Sequence, residues 1–295
     1  MTGDAGAWSR LSVVTVTHDS ADVVERCLRS VAAAHEVIVV DNASRDATRE
    51  RVHGSLPGAV LIENRTNIGF GNACNTGFAR ANTEFVLFLN PDAALQDGAA
   101  EALTAAADRY PEAALLAPRI VAPGGAPLVT HDAALFARDD MPKASTAAPE
   151  GDICTWFLSG AALLVRKSFL GTEPPFDPKL FLYFEDDDLC LRLRKQGHAL
   201  VQVHDAVVEH DAGNATPPRA AITWRKFWHM AWSRLYIEAK YRGRGRAQRT
   251  ALKHLIRFAA KCIGNVLALK PAKAWRDAAR FAGTLSWIVG LRAVR

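Results

Sequence analysis

The chain has 295 residues, a formal net charge of +5, and 49% apolar against 23% charged residues. That length holds one large α/β domain with or without an appendage, and that balance excludes a disordered, collagen-like or disulfide-stapled chain. No run of ~18 uninterrupted apolar residues occurs, so no membrane-spanning helix is expected. Met1–Arg10 carries Asp4 and has no apolar stretch of the kind a signal peptide needs.

Five cysteines (Cys27, Cys74, Cys154, Cys190 and Cys262) are widely spaced and form no CxxC pair. They read as reduced thiols in the cytosol, and a structural zinc site is disfavoured. Charge is strongly polarised. Residues 1–215 hold 18 Lys+Arg against 29 Asp+Glu, a net of −11, while residues 216–295 hold 18 against 2, a net of +16. The expected organisation is therefore an acidic body, residues 1–215, and a basic, aromatic-rich helical region, residues 216–295.

In chain order, Leu11–Thr17 is β-branched and apolar and reads as a strand. Ser20 stands as the N-cap of a helix whose apolar face is Val23, Val24, Cys27, Leu28 and Val31. Glu36–Val40 is a second strand ending on Asp41, and Ser44 can cap a helix that stops at Gly54. Ala59–Glu63 is a third strand and Phe70–Ala81 a helix. Glu84–Leu89 is a fourth strand running into Asn90-Pro91-Asp92. Asp97–Tyr110 is an Ala-rich helix and Ala113–Ile120 a fifth strand. Residues 123–152, rich in Pro, Gly and Ala, read as a surface loop. Strands alternating with helices predict a doubly wound, mostly parallel sheet, Rossmann-like, with ligands beyond the carboxyl ends of its strands.

Polar residues cluster where that rule wants them. Asp41 and Asn42 follow the second strand. The carboxylate can recognise a nucleobase N–H or a ribose hydroxyl, or the segment is simply a capping turn that Ser44 completes. Asn67–Gly77 packs three Asn and three Gly around a helix start, which suits a pyrophosphate or sugar hydroxyls. Its spacing is not GxGxxG, so a dinucleotide fingerprint is absent. Asp92 offers one carboxylate for a divalent ion shared with phosphate oxygens. Glu185–Asp188 is a run of four acids after Phe181–Phe184. Such a run suits a solvated helix N-terminus, which covers Asp187 or Asp188. The aromatic flank argues that one member is partly buried, with the raised pKa of a general base. His210 closes a late strand and becomes a metal ligand only if the fold brings it to Asp92.

These motifs together resemble family 2 glycosyltransferases of the GT-A fold, and most of all their bacterial rhamnosyltransferase-like branch. The matching segments are Val16–Ser20, Val40–Asp46, Asn67–Gly77, Leu89–Asp92, Trp156–Ala161, Leu164–Lys167, Phe181–Leu193 and Glu209–Gly213. The resemblance implies roles at matching positions. Thr17, Asp41, Asn42, Asn67, Gly69, Asn72 and Asn90 would line the donor pocket, with Asp41 on the nucleobase. Asp92 and His210 would hold Mg2+ or Mn2+. Asp186 would be the catalytic base, and Trp156, Gly160 and Glu185 would lie on the acceptor side. Two departures from the commoner pattern are His18-Asp19 after the first strand and Asn90 in the first acidic place of the metal motif.

In the basic region, Trp224, Phe227, Trp228, Ala231, Trp232, Leu235 and Ala239 recur at helical spacing. Arg249, Lys253, Arg257 and Lys261 recur every fourth residue, opposite Leu252, Leu255, Ile256, Ala259 and Ile263. Both patterns suit an interfacial helix on an anionic membrane, with Trp at the boundary, or helices packed on the body or on a second subunit. No nucleic-acid-binding module accompanies the charge.

The resemblance makes the expected protein an inverting, metal-dependent enzyme that moves L-rhamnose from dTDP-L-rhamnose onto a lipid-linked glycan, peripheral on the inner face of the cytoplasmic membrane. The alternatives are transfer of galactofuranose or glucose from UDP, and a non-catalytic nucleotide-sugar-binding scaffold. Acceptor identity and oligomeric state are not legible.

Overall fold

A computed structural model describes residues 4–128, 149–171, 173–211 and 220–293. The chain forms two compact units. The first comprises residues 1–176 and 186–216; the second comprises 177–185 and 217–295.

The first unit opens with a short helix α1 (Asp4–Trp8), then strand β1 (Leu11–Thr17), helix α2 (Val24–Ser30), β2 (Glu36–Asp41), α3 (Thr48–Ser55), β3 (Val60–Glu63), α4 (Phe70–Arg80) and β4 (Phe85–Leu89). It continues through β5 (Ala93–Leu95), α5 (Ala99–Arg109), β6 (Ala113–Val121), β7 (Pro127–Leu128), β8 (Ile153–Cys154), β9 (Ala162–Arg166), α6 (Glu185–Lys195) and β10 (Ala199–His210). The sheet runs β3-β2-β1-β4-β9-β6-β10-β5. β3, β2, β1 and β4 are mutually parallel, β10 is parallel to β6, and β9 runs antiparallel to both β4 and β6. The main strands thus share one direction, with β9 and the edge strand β5 reversed. This is the mostly parallel α/β sheet expected, with the antiparallel β9 and β5 as additions; the three residues of β5 after Asp92 are too short to register as a strand in sequence.

β1, β2 and β4 are buried on both faces, which is why they read as continuous apolar runs. Their two sides define two cores. Leu11, Val13, Val39, Leu87 and Leu103 belong to one, and Val14, Ile38, Val40, Phe88 and Phe78 to the other. α4 sits against the second side through Gly77. A Cβ there would lie 2.4 Å from Val14 Cγ1, so only glycine permits this approach of helix to strand. Asn75 is spent on packing: its amide donates to Phe176 O at 2.8 Å and its oxygen accepts from Phe176 N–H at 2.9 Å. It is therefore a structural member of the Asn-rich segment.

Two expected caps differ. Ser20 does not cap α2, which starts four residues later with Val23 at its N-cap position. Its carbonyl accepts the N–H groups of Val23 and Val24, and its hydroxyl accepts His18 N–H. Ser44 does not cap α3; it accepts Asp19 N–H at 3.0 Å, while Asp46 accepts Thr48 N–H at 3.1 Å. Ser44 thus ties the loop after β2 to the loop after β1, and Ser20 reaches α3 through its backbone, donating its N–H to Thr48 Oγ1 at 2.8 Å, long-range roles that local sequence does not announce. All five cysteines are free. Residues 129–148 of the predicted loop and the Ala212-Gly213 end of the last matching segment lie outside the described residues.

The second unit contains α7 (Ala220–Arg242), α8 (Arg244–Leu267) and α9 (Pro271–Ile288). α7 and α9 cross closely, because a Cβ on Gly283 would lie 2.3 Å from Trp228 O. Trp228, Ala231, Trp232 and Leu235 are buried, Trp224 meets Trp275 at 4.6 Å between ring centroids, and Trp232 Nε1 donates to Leu291 O at 2.9 Å. The aromatic face of α7, which suited either a membrane interface or helix packing, forms the core of this helical unit. Among the described residues no helix is long and apolar enough to cross a membrane.

Candidate active site

The carboxyl ends of β1, β2, β4 and β10 lie along one edge of the sheet, and each delivers a polar residue there. Register places Thr17 beside Asp41. Thr17 Oγ1 donates to Asp41 Oδ1 at 3.0 Å, and Ser44 N–H donates to Oδ2 at 3.0 Å. Asp41 is fully buried. Each of its oxygens keeps a lone pair after these bonds, so it can still accept from a ligand N–H. Asp19 and Ala43 are held at positive φ (52° and 64°), which folds the loops after β1 and β2 back over the strand ends.

Asn42 organises the next loop. Its Nδ2 donates to Asn67 Oδ1 at 3.0 Å and to Gly69 O at 3.2 Å. Its Oδ1 accepts from Asn64 Nδ2 at 3.2 Å and from Ile68 N–H at 3.0 Å. All four hydrogen-bonding positions of a buried amide are filled. Gly69, at φ 92°, precedes α4, and Asn67 Oδ1 also accepts its N–H at 2.9 Å. Asn72 turns back to donate to Ile68 O at 3.1 Å. Thr17, Asp41, Asn42, Asn67, Gly69 and Asn72 therefore form one bonded patch, with Asn42 as its hub rather than as a free ligand contact. Asn64 was not among the expected site residues; only its place after β3 pointed to it.

Further along the edge, Asn90 N–H donates to Ala161 O at 2.9 Å, and the Asn90 side-chain oxygen is buried with no partner. Asp92 Oδ1 lies 3.1 Å from His210 Nε2. The cause is the antiparallel pairing of β5 with β10, which sets His210 opposite Ala93. Arg26 of α2 pairs with Glu209 and donates to Asp92 O at 3.3 Å. Nothing in its helical context in the sequence marks Arg26 for this post.

Asp186 joins the same edge by one backbone step: Gly160, next to Ala161, donates its N–H to Asp186 Oδ2 at 3.1 Å. Asp187 N–H donates to Oδ1 at 3.0 Å. Asp186 is half-buried, and desolvation raises its carboxyl pKa above the ordinary carboxylate range against the pull of these two N–H donors. Tyr183 and Phe184, both at φ 68°, turn the chain sharply just before α6. The solvated helix start expected for the acidic run is not seen. Asp187 and Asp188 lie in the first turn of α6 but are buried, as is Glu185. A Cβ on Gly160 would stand 3.4 Å from Asp186 Cβ, so the glycine closes directly on the carboxylate. Trp156 is 42% exposed, with the Arg194 guanidinium 3.5 Å over its ring.

Among the described residues no cluster of three or more His, Cys, Asp or Glu is set to hold a metal. Mg2+ and Mn2+ do not require one when a substrate diphosphate supplies the other oxygens. One carboxylate, one imidazole in contact with it, and the partnerless oxygen of Asn90 fit that donor set.

A mixed α/β sheet with polar residues gathered at its strand ends in this way is a GT-A-type glycosyltransferase fold. It is similar to a mannosyltransferase from Pyrobaculum calidifontis solved with GDP-Man and Mn2+ (TM-score 0.57, 19% identity, 98% of this chain and 89% of that one). It is likewise similar to S. aureus TarS 1–349 solved with UDP-GlcNAc (TM-score 0.53, 17% identity, 96% and 92%). The model of glycosyl transferase family 2 matches residues 12–171. An N-acetylglucosaminyl-diphospho-decaprenol L-rhamnosyltransferase of Mycobacterium tuberculosis is 31% identical over 237 residues, 70% of this chain and 77% of the relative. The chain belongs to glycosyl transferase family 2 and is a glycosyltransferase.

Proposed function

We propose that the enzyme transfers L-rhamnose from dTDP-L-rhamnose, with inversion, onto a lipid-linked glycan acceptor at the cytoplasmic face of the membrane. Residues 1–215 act as the catalytic domain and residues 216–295 as its basic helical partner. One observation carries the chemistry: the backbone link Asn90–Ala161, followed by Gly160–Asp186, ties a desolvated carboxylate to the strand edge that bears Asp92 and His210. The sugar and acceptor are drawn from the rhamnosyltransferase relative, whose name specifies a diphospho-decaprenol-linked N-acetylglucosamine.

In this reading Asp41 accepts from the nucleobase, and the patch held by Asn42 shapes the donor pocket. Asp186 accepts the proton of the acceptor hydroxyl while that oxygen forms its bond to the anomeric carbon. The bond from that carbon to the diphosphate oxygen breaks on the opposite face, so the configuration inverts. Burial makes Asp186 the stronger base, and the N–H groups of Gly160 and Asp187 aim it. Asp92, His210 and Asn90 would hold Mg2+ or Mn2+, which neutralises charge on the departing diphosphate. Trp156 and Glu185 lie on the acceptor side.

The test is nucleotide release from a panel of nucleotide sugars, with and without Mn2+, on a polyprenyl-diphosphate N-acetylglucosamine acceptor. Acceptor-dependent dTDP release that needs metal is expected. Faster release of UDP from UDP-galactofuranose or UDP-glucose would replace the donor, and no release from any donor would remove the catalytic reading.

A further inference from the structure

α8 carries Arg244, Arg246, Arg249, Lys253, Arg257 and Lys261, and no Asp or Glu. One side of it is used for packing. Ala247 and Ala251 are fully buried, Thr250 Oγ1 donates to Glu238 of α7 at 2.9 Å, and Asn265 Nδ2 donates to Asp277 of α9 at 3.0 Å. The other side is left open. Leu252, Ile256, Ile263 and Val266 are 60%, 66%, 62% and 58% exposed. At ~100° per residue these four side chains fall within an arc of ~80°, so they form one ridge along the helix. Arg249, Lys253 and Arg257 are all exposed and fall at ~60°, ~100° and ~140° from the centre of that ridge, on one flank of it, whereas the exposed Lys261 falls on the far side of the helix.

Four large aliphatic side chains left in water along one helix are costly, so the ridge calls for an occupant. The flanking charge selects it. A second copy would bring an equally cationic helix against this one. A protein partner would have to be acidic and apolar in the same stripe. A bilayer of anionic lipid supplies both properties at once: phosphates for the cations and acyl chains for the ridge.

We propose that α8 docks in the plane of an anionic lipid surface, with Leu252, Ile256, Ile263 and Val266 in the acyl boundary and Arg249, Lys253 and Arg257 on the phosphates. This deepens, and rests on, the reading of the enzyme as one that works on a lipid-linked acceptor. The surface is α8 itself and not the Trp-rich face of α7, which is already buried.

The full chain is tested on vesicles of phosphatidylglycerol in phosphatidylcholine and on pure phosphatidylcholine, at low and high salt. Two variants accompany it, Ile256→Asp/Ile263→Asp and Lys253→Glu/Arg257→Glu. All four positions are exposed, so an unchanged melting temperature is expected. Wild type should sediment with the anionic vesicles and only weakly with the neutral ones. The aspartate pair should weaken binding at least ~10-fold. The glutamate pair should weaken it at least ~25-fold at low salt, since each cation near an anionic surface is worth about fivefold in partition. Transfer to a water-soluble short-chain acceptor should be unchanged in both variants, while transfer to a vesicle-embedded acceptor should fall. Variants that sediment like wild type overturn the proposal, as does wild type that ignores anionic vesicles. A face that changes only the mass in sedimentation velocity also overturns it, because the occupant is then a second copy. Failure of all forms to turn over the soluble acceptor strikes the proposed reaction instead, and leaves the sedimentation result standing.

Discussion

Asp186→Asn separates basicity from shape and carries two independent readouts. The first is rate. Loss of a general base is worth ~10²–10⁴-fold, so turnover should fall by that factor while donor affinity stays within about twofold. Wild-type kcat should climb with pH through the raised pKa of Asp186, and the variant should lack that rising limb. The second readout is stability. Asp186 uses Oδ2 for Gly160 N–H and Oδ1 for Asp187 N–H, at 3.1 and 3.0 Å. Asparagine has one oxygen, so one of these donors faces an NH2 group at a cost of about 1–3 kcal/mol. Desolvation works the other way. The native pKa is raised above the unfolded value, so the native state binds more protons between the two values. Wild-type stability therefore falls as pH rises from about 4 through the native pKa, and is level above it. The variant does not titrate here, so its deficit should be largest near pH 4 and should shrink, or reverse, by neutral pH. Stopped assays of turnover across pH, with thermal melts in the same buffers, check both. A variant that keeps more than a tenth of wild-type turnover refutes the assignment of the base. A stability gap that is flat with pH refutes the desolvation argument.

Asp188→Asn, at a fully buried position in the first turn of α6, should lower the melting temperature while leaving turnover within ~10-fold; a dead Asp188→Asn beside a live Asp186→Asn would exchange their roles. Asp92→Asn should weaken Mn2+-dependent binding of a nucleoside diphosphate in calorimetric titration without unfolding the chain, and unchanged affinity would remove Asp92 from the site. Asn42→Ala deletes four hydrogen bonds of a buried amide, each orphan costing about 1–3 kcal/mol, so a drop of several degrees in melting temperature together with a raised donor KM is expected. Gly77→Ala sets a Cβ 2.4 Å from Val14 Cγ1 and should cost about 1–3 kcal/mol in denaturant melts, which a compensating Val14→Ala should partly restore.

Much of this architecture is local physics and was open to reading in sequence. β1, β2 and β4 are apolar because both their faces are buried, and that alone sets strand ends at Thr17, Asp41 and Leu89. A parallel α/β order then places Asp41, Asn42, Asn90 and Asp92 along one edge before any coordinates are known. The order of motifs from Val16 to His210 was enough to indicate the family. What the sequence could not hold is pairing across distance. The meeting of Asp92 with His210 depends on the short strand β5 lying antiparallel to β10. Local patterns favoured Ser20 and Ser44 as helix caps, but the Ser20 hydroxyl closes a local turn on His18 N–H and tertiary contact made Ser44 a tie between two loops. Arg26 reached the site only because α2 brings it against Glu209 and Asp92. The four acids from Glu185 to Asp188 looked alike in charge, and only the family resemblance picked out Asp186; the structure buries the other three and leaves Asp186 half-buried, with the Gly160 N–H on its Oδ2. The same division holds in the second unit. Helical periodicity revealed amphipathic helices, yet only packing decided that the Trp-rich face of α7 is core and the Leu252–Val266 ridge of α8 is surface, because a helix face does not carry its partner in its own sequence.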